Sequence, residues 1–335
     1  MTTERPRISL EGKNEHTQNY LRVVQFQGPA WMPCNVSLMP ATWQRYREHL
    51  EEIVLEHPRL FPGYEKGSRD FDHLGDATYS ERQLVDEWGC TWENLAPGLV
   101  GQPVTHPLED WDALDSYQMP DLMVANDFSN RRDWDAIARG LDRAEEAGSL
   151  RRGGGLNHGF MWMRLYYLRG FENLMIDIAT GDPRLDELIA MVLENNQRVT
   201  DKYLSLGVEL MSFGDDLGHQ EGPAIRVEWF RELFKPRYIE YFTLIKKLAP
   251  QAKVFFHTCG SVYDLLPEVI ETGIDILNPI QVSAAKMDTA RLKREFGDAL
   301  TFWGGIDTQE VLPHGTPQEV KDEVRRRIDD LAPGG

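Results

Sequence analysis

The rhythm of hydrophobic and polar positions changes partway along this chain. From Thr42 to Glu56 (TWQRYREHLEEIVLE), the apolar residues Trp43, Tyr46, Leu50, Ile53 and Val54 recur at helical spacing. Thr42 stands where a cap belongs, and His57-Pro58 stops the helix. A second helix is predicted over 133–147 (DWDAIARGLDRAEEA), with Arg151-Arg152-Gly153-Gly154-Gly155 breaking it. Residues 1–30 carry little periodicity and read as an irregular arm. Residues 60–130, rich in Trp, Gly, Pro and acids, read as loops with a hairpin around EWGCTWEN (87–94).

After Gly155, strand-length apolar runs alternate with amphipathic helices. The strands are LNHGFMWM (156–163), VELMSFGDD (208–216), KVFFHTCG (253–260), IDILNPI (274–280) and TFWGGID (301–307). Helices reach to about Leu206 and then fill 226–248, 261–272, 288–296 and 317–331. This alternation means parallel strands joined by helical crossovers. Short strands ending in GDD, HTCG, NPIQ and GGID suit a (β/α)8 TIM barrel, whose reactive groups gather at the C-terminal strand ends. A doubly wound open sheet is the alternative, but no G-x-G-x-x-G follows a strand to mark dinucleotide binding. Residues 1–150 are expected to form an arm, helices and hairpin packing on a main barrel of 151–335, as one structural domain.

Composition narrows the class. With 335 residues, 41% of them hydrophobic, the chain can bury a large core. No run approaches the roughly 18 apolar residues of a membrane span. The polar opening MTTERPRISLEGKNEH is no leader peptide, so a cytoplasmic protein is expected. A net charge of −18 argues against nucleic acid and against polyanionic substrates. The three cysteines, Cys34, Cys90 and Cys259, are far apart and odd in number, unlike a disulfide framework.

One of them carries the chemistry. In a strand, residues i and i+2 share a face, so His257 and Cys259 project together at the end of KVFFHTC. An imidazole and a thiolate so placed can both reach one Zn²⁺ at about 2.0–2.3 Å, given a third ligand and an open position. The ordinary alternative is a packed cysteine beside a histidine bonded to the backbone. Other strand ends supply Asp215, Asp216 and Asp307 as candidate reacting groups. Asn278, Gln281 and Gln220 are candidate substrate contacts, with His158 and Glu172 near the first regular strand. For the aspartates, helix capping is the competing account.

From Gly214 onward the segments GDDLGHQEGPAI, FFHTCGSVYDLLPEVIETGIDILNPIQ and LKREFGDALTFWGGIDTQEVLPHGTPQEV are similar to the uroporphyrinogen decarboxylase superfamily. The resemblance covers roughly 155–335 and implies a (β/α)8 barrel. The true decarboxylases carry an M-R-Q-A-G-R segment that grips substrate carboxylates. Nothing here matches it; LMPATWQRYREHL (38–50) only places Arg45 and Arg47 on an amphipathic helix. The other branch consists of methyltransferases that move methyl groups between a corrinoid (methylcobalamin or a corrinoid protein) and a small methylated substrate or a thiol. These hold zinc with H-x-C plus a later cysteine, and His257 and Cys259 match the first two positions. No cysteine follows Cys259. The third ligand is therefore expected beyond Gly335, with a last barrel strand that this chain lacks. Closure by another element or subunit, or Cys90 as a substitute, is the alternative. The resemblance casts Asp215, Asp216 and Asp307 as groups that bond substrate or orient ligands rather than bind metal, and it allows a homodimer. A carboxylated-ring decarboxylase and a non-catalytic small-molecule or corrinoid-protein binder are the competing functions.

Overall fold

The computed structural model of the chain describes residues 6–75, 77–126, 130–156 and 159–334. They divide into two compact units. One comprises Met1–Met32, Asp133–Tyr166 and Met175–Gly335; the other comprises Pro33–Arg132 and Tyr167–Leu174. The division does not fall at residue 150, because the first 32 residues and the 133–150 helical region join the unit that holds the parallel sheet. Among the described residues no helix is long and apolar enough to cross a membrane.

The first unit is built on five parallel strands, β1 (Arg152–Leu156), β2 (Leu210–Gly214), β3 (Lys253–His257), β4 (Ile276–Asn278) and β5 (Thr301–Phe302). Their spatial order follows their order in the chain, each neighbour being the next strand. A doubly wound sheet would reverse direction at a switch point, whereas winding that always advances the same way is that of a TIM-type barrel. Helices Pro183–Ser205, Lys235–Leu248, Leu266–Glu271 and Thr289–Phe296 form the crossovers. Local chemistry fixes their starts. The Asp182 side chain accepts from Arg184 N, Asp288 accepts from Arg291 N, and Thr316 and Glu319 form a reciprocal capping box opening Pro317–Leu331.

The two faces of the sheet pack differently. Phe213 and Phe256, one outward position on each of β2 and β3, meet Tyr238, Tyr241 and Phe242 of helix Lys235–Leu248, which joins the two strands. On the other face, Leu210, Phe255 and Ile276 form a cluster with Ile8, Tyr20, Leu21, Val24, Leu150 and Trp303. Tyr20, Leu21 and Val24 come from helix Glu15–Val24, capped by Asn14. The expected irregular arm is thus partly helical, because its short apolar stripe has this sheet face to cover.

Four further features differ from the sequence reading. The triglycine expected as a breaker lies inside β1, and helix Trp162–Arg169 begins where LNHGFMWM was read as strand. A Cβ at Gly153 would come within 2.6 Å of Met211 Sδ and 3.0 Å of the Tyr203 ring, so close packing of strand on helix selects glycine. The helix read from Thr42 begins at Pro40 with Met39 as its cap residue, since proline is preorganised for a first turn. The 226–248 helix holds a π turn, Phe230–Phe234, between Val227–Trp229 and Lys235–Leu248.

The second unit contains helix Pro40–Glu56 and a three-stranded antiparallel sheet, Gln83–Val85, Thr91–Glu93 and Gln102–Thr105. Its first hairpin is the one expected around EWGCTWEN. The Asp86 carboxylate accepts Trp88 N at 3.0 Å, Cys90 N at 2.8 Å and Trp92 Nε1 at 2.9 Å, which sets the turn.

Candidate metal centre

Register brings the chemical residues together. β2 and β3 pair Gly214 with His257, and β3 and β4 pair His257 with Asn278, so these three sit side by side at the C-terminal ends. Gly214 presents no side chain there. Asp216, two residues on, supplies the group that reaches His257 from the β2 side: its Oδ1 lies 3.8 Å from His257 Nε2. Cys259 Sγ lies 3.5 Å from the same Nε2. The three ligand atoms of Asp216, His257 and Cys259 all fall within 4.8 Å of one another. Among the described residues this is the one such set of three.

The loops that carry these groups are tied backbone to backbone. Asp215 N donates to His257 O at 3.0 Å, Thr258 N to Asn278 O at 2.6 Å and Ser261 N to His219 O at 2.8 Å. Cys259 N donates to Asp216 Oδ1 at 2.8 Å, and Leu217 N to Thr258 Oγ1 at 3.0 Å. Gly260 has φ +86, and a Cβ there would sit 2.3 Å from the Gly218 carbonyl carbon. Only glycine combines that left-handed turn with so close an approach.

Each donor is prepared by a neighbour. Asn278 Oδ1 lies 2.7 Å from His257 Nδ1, so Nδ1 carries a proton donated to the amide oxygen and Nε2 presents its lone pair to Cys259 and Asp216. Burial pushes the Cys259 thiol up to about 12, and the nearby Asp216 carboxylate adds to the rise. Without a cation the thiol therefore keeps its proton. A nitrogen lone pair, a sulfur and a carboxylate oxygen converge on one point, with two acidic groups that a divalent cation would hold in their anionic forms. That donor set suits zinc.

The remaining candidates are distributed as follows. Asp215, read as a reacting group, is 0% exposed. Its carboxylate accepts Met161 N at 2.8 Å, Trp162 N at 3.0 Å, Met163 N at 2.9 Å and Tyr238 OH at 2.6 Å, so it caps helix Trp162–Arg169 from inside the core. Burial raises its pKa to about 6, with those hydrogen bonds opposing the rise. Asp307 accepts Gln309 N and Glu310 N at 2.9 Å, the geometry of a turn cap, and the Glu310 bond leads in holding its carboxyl below the usual range.

Asn278, read as a substrate contact, is committed to His257. Gln281 Oε1 accepts Gly260 N at 2.8 Å, and the Gln220 amide donates to Ser283 O, so both amides hold the loops of the mouth. Glu172 belongs to the other compact unit, exposed in the first turn of helix Phe171–Thr180. His158 lies outside the described residues. Cys90, the suggested substitute ligand, is fully buried in that other unit with its thiol donating to Tyr167 O at 3.3 Å. The resemblance casts Asp216 in an orienting role, whereas in the structure its carboxylate stands beside His257 and Cys259 as a possible donor. Register is what locates it, and β-strand register is not written in local spacing.

The uroporphyrinogen decarboxylase (URO-D) family profile matches residues 159–335, more than half of the chain. Among solved structures, the chain is similar to a methyltransferase from Methanosarcina mazei, with a TM-score of 0.62 over 96% of this chain and 90% of that one. The sequence identity is 14%, so that likeness is one of fold. No curated protein sequence matches the chain.

Proposed function

The chain belongs to the uroporphyrinogen decarboxylase family, and from that premise we propose that it is a zinc-dependent methyltransferase. It would move a methyl group between a corrinoid, free or protein-borne, and a small methylated substrate or thiol. The observation that carries this reading is the convergence of Asp216, His257 and Cys259 within 4.8 Å at the C-terminal ends of parallel strands. A decarboxylase acting on a carboxylated ring has no use for a thiol–imidazole–carboxylate cluster at that position. A pure binding protein has no need of one.

His257 Nε2, Cys259 Sγ and an Asp216 oxygen would hold the ion. Zinc, when bound, polarises the oxygen or sulfur that bears the methyl group, or keeps an acceptor thiol in its thiolate form. The chain's own groups prepare the site. Asn278 holds the proton on Nδ1, so that the Nε2 lone pair could ligate. The Cys259 peptide N–H fixes Asp216 Oδ1. The thiol of Cys259, whose sulfur lies 3.5 Å from Nε2 and beside the Asp216 carboxylate, would release its proton on metal capture.

Elemental analysis of the purified protein beside His257→Ala and Cys259→Ala tests the reading. One zinc per chain, lost in both variants, together with methyl transfer from a methylated donor to cob(I)alamin, is the expected result. A folded, metal-free wild type whose turnover is indifferent to both substitutions refutes it.

A further inference from the structure

We infer that Asp215 is a positioning residue that sets the geometry of the donor cluster through its backbone and its neighbour. The inference rests on the reading of Asp216, His257 and Cys259 as one site. Asp215 is joined to that site twice. Its peptide N–H holds the His257 carbonyl at 3.0 Å, and the next residue is Asp216, whose Oδ1 holds the Cys259 N–H at 2.8 Å. A rotation of Asp215 therefore displaces an acidic donor and slackens the ends of β2 and β3 together.

What prevents that rotation is the buried carboxylate. Met161 N and Trp162 N reach one oxygen, Met163 N reaches the other, and the Tyr238 hydroxyl joins the first at 2.6 Å. The four donors come from two separate elements, the start of helix Trp162–Arg169 and helix Lys235–Leu248. Tyr238 lies in the first turn after the π turn Phe230–Phe234, whose Phe230 and Phe234 are buried, with Phe230 against Tyr238 and Phe234 against Trp162. A π turn adds a residue to one helical turn and so changes which side chains face inward. Here it accompanies the phenol being aimed at Asp215. Two helices and two strand ends are thus clamped on one carboxylate, and the site inherits their rigidity.

Asp215→Asn and Tyr238→Phe test this. Asparagine keeps the shape but offers an N–H₂ group to a backbone N–H. Phenylalanine removes one donor and leaves the three amides. Zn²⁺ affinity, read by competition with a chromophoric chelator, is expected to fall about 10- to 100-fold in Asp215→Asn and less in Tyr238→Phe, the range typical of groups that orient ligands. The control is Val269→Ala, a buried truncation outside the network. It should lower stability and leave affinity unchanged.

Alkylation of Cys259 in metal-free protein, followed by peptide mass spectrometry, is the second readout. It should run several-fold faster in both variants than in the wild type. Folded Asp215→Asn and Tyr238→Phe proteins with wild-type affinity and wild-type alkylation overturn the inference. A wild type that binds no zinc overturns the proposed function instead, and the alkylation rates then decide the role of Asp215 by themselves. Should Asp215→Asn fail to fold, Tyr238→Phe carries the test.

Discussion

Replacing Asn278 by alanine should separate metal affinity from stability. The Asn278 Oδ1 to His257 Nδ1 distance is 2.7 Å, a full-strength hydrogen bond, while the Asn278 Nδ2 contact to Trp303 O at 3.4 Å adds little. The backbone carbonyl of residue 278, which accepts Thr258 N at 2.6 Å, survives the substitution. Loss of one half-buried hydrogen bond should lower stability by about 1 kcal/mol. The effect on zinc should be larger. Without the amide the imidazole is free to turn, or to move its proton to Nε2, the atom that faces Cys259 and Asp216. An outer partner of a ligating histidine is worth about 10- to 100-fold in affinity, or about 1.4–2.8 kcal/mol at about 1.4 kcal/mol per decade. Competitive zinc titration reads the first quantity and urea denaturation the second. Asn278→Asp should retain most of the affinity, since its carboxylate can accept the same Nδ1–H. An Asn278→Ala protein that binds zinc within twofold of wild type would refute the assignment of Asn278 to His257.

Gly260→Ala should be costly in both respects: its φ of +86 and the 2.3 Å approach to Gly218 leave a methyl group nowhere to go. A loss of about 2–4 kcal/mol in urea denaturation is expected from strain plus overpacking, with weakened zinc binding because the next residue back is Cys259. Asp307→Ala should lose about 1 kcal/mol as a missing cap yet bind zinc as the wild type does, and a large loss of metal would return Asp307 to the site. Zinc capture should also depend on pH. With the Cys259 thiol at about 12, a proton leaves for each ion bound, so apparent affinity should rise about tenfold per pH unit between pH 6 and 8 from this group alone. Titrations that show no pH dependence would mean that Cys259 does not ligate.

The barrel-type alternation was legible because parallel strands buried on both faces read as apolar runs, and because each run ended in polar residues. His257 and Cys259 were legible as a pair because they share one strand and period two is local. What could not be read was anything that depends on neighbouring strands. Asn278 looked like a substrate contact because nothing in NPIQ reveals that it pairs in register with His257. Asp215 and Asp216 looked equivalent in sequence, yet one is swallowed by the core and the other faces the cluster. Alternation alone implies opposite faces for adjacent residues; only the helix start at 161–163 shows which of the two points inward. Gly153–Gly155 misled because glycine marks both breaks and close packing, and the partner that distinguishes them, Met211, lies on another strand.

The same register argument bears on the missing later cysteine. A site completed by a distant strand would have its third donor far along the chain. In the structure the three donors come from two adjacent strand ends, with Gly214 standing beside His257 where a side chain would otherwise intervene. The carboxylate of Asp216 is held toward the imidazole by the peptide N–H of the very cysteine it would share an ion with. Donor placement of this kind is self-consistent. The bond that orients Asp216 exists only if Cys259 is in position, and Cys259 is in position only if the loop at Gly260 turns against Gly218. Neither residue needs a further strand to bring it to His257. On the proposed reading Asp216 would be the third donor that the H-x-C pattern asks for, and zinc stoichiometry in Asp216→Ala tests it: loss of the ion is expected, and full retention would refute the assignment.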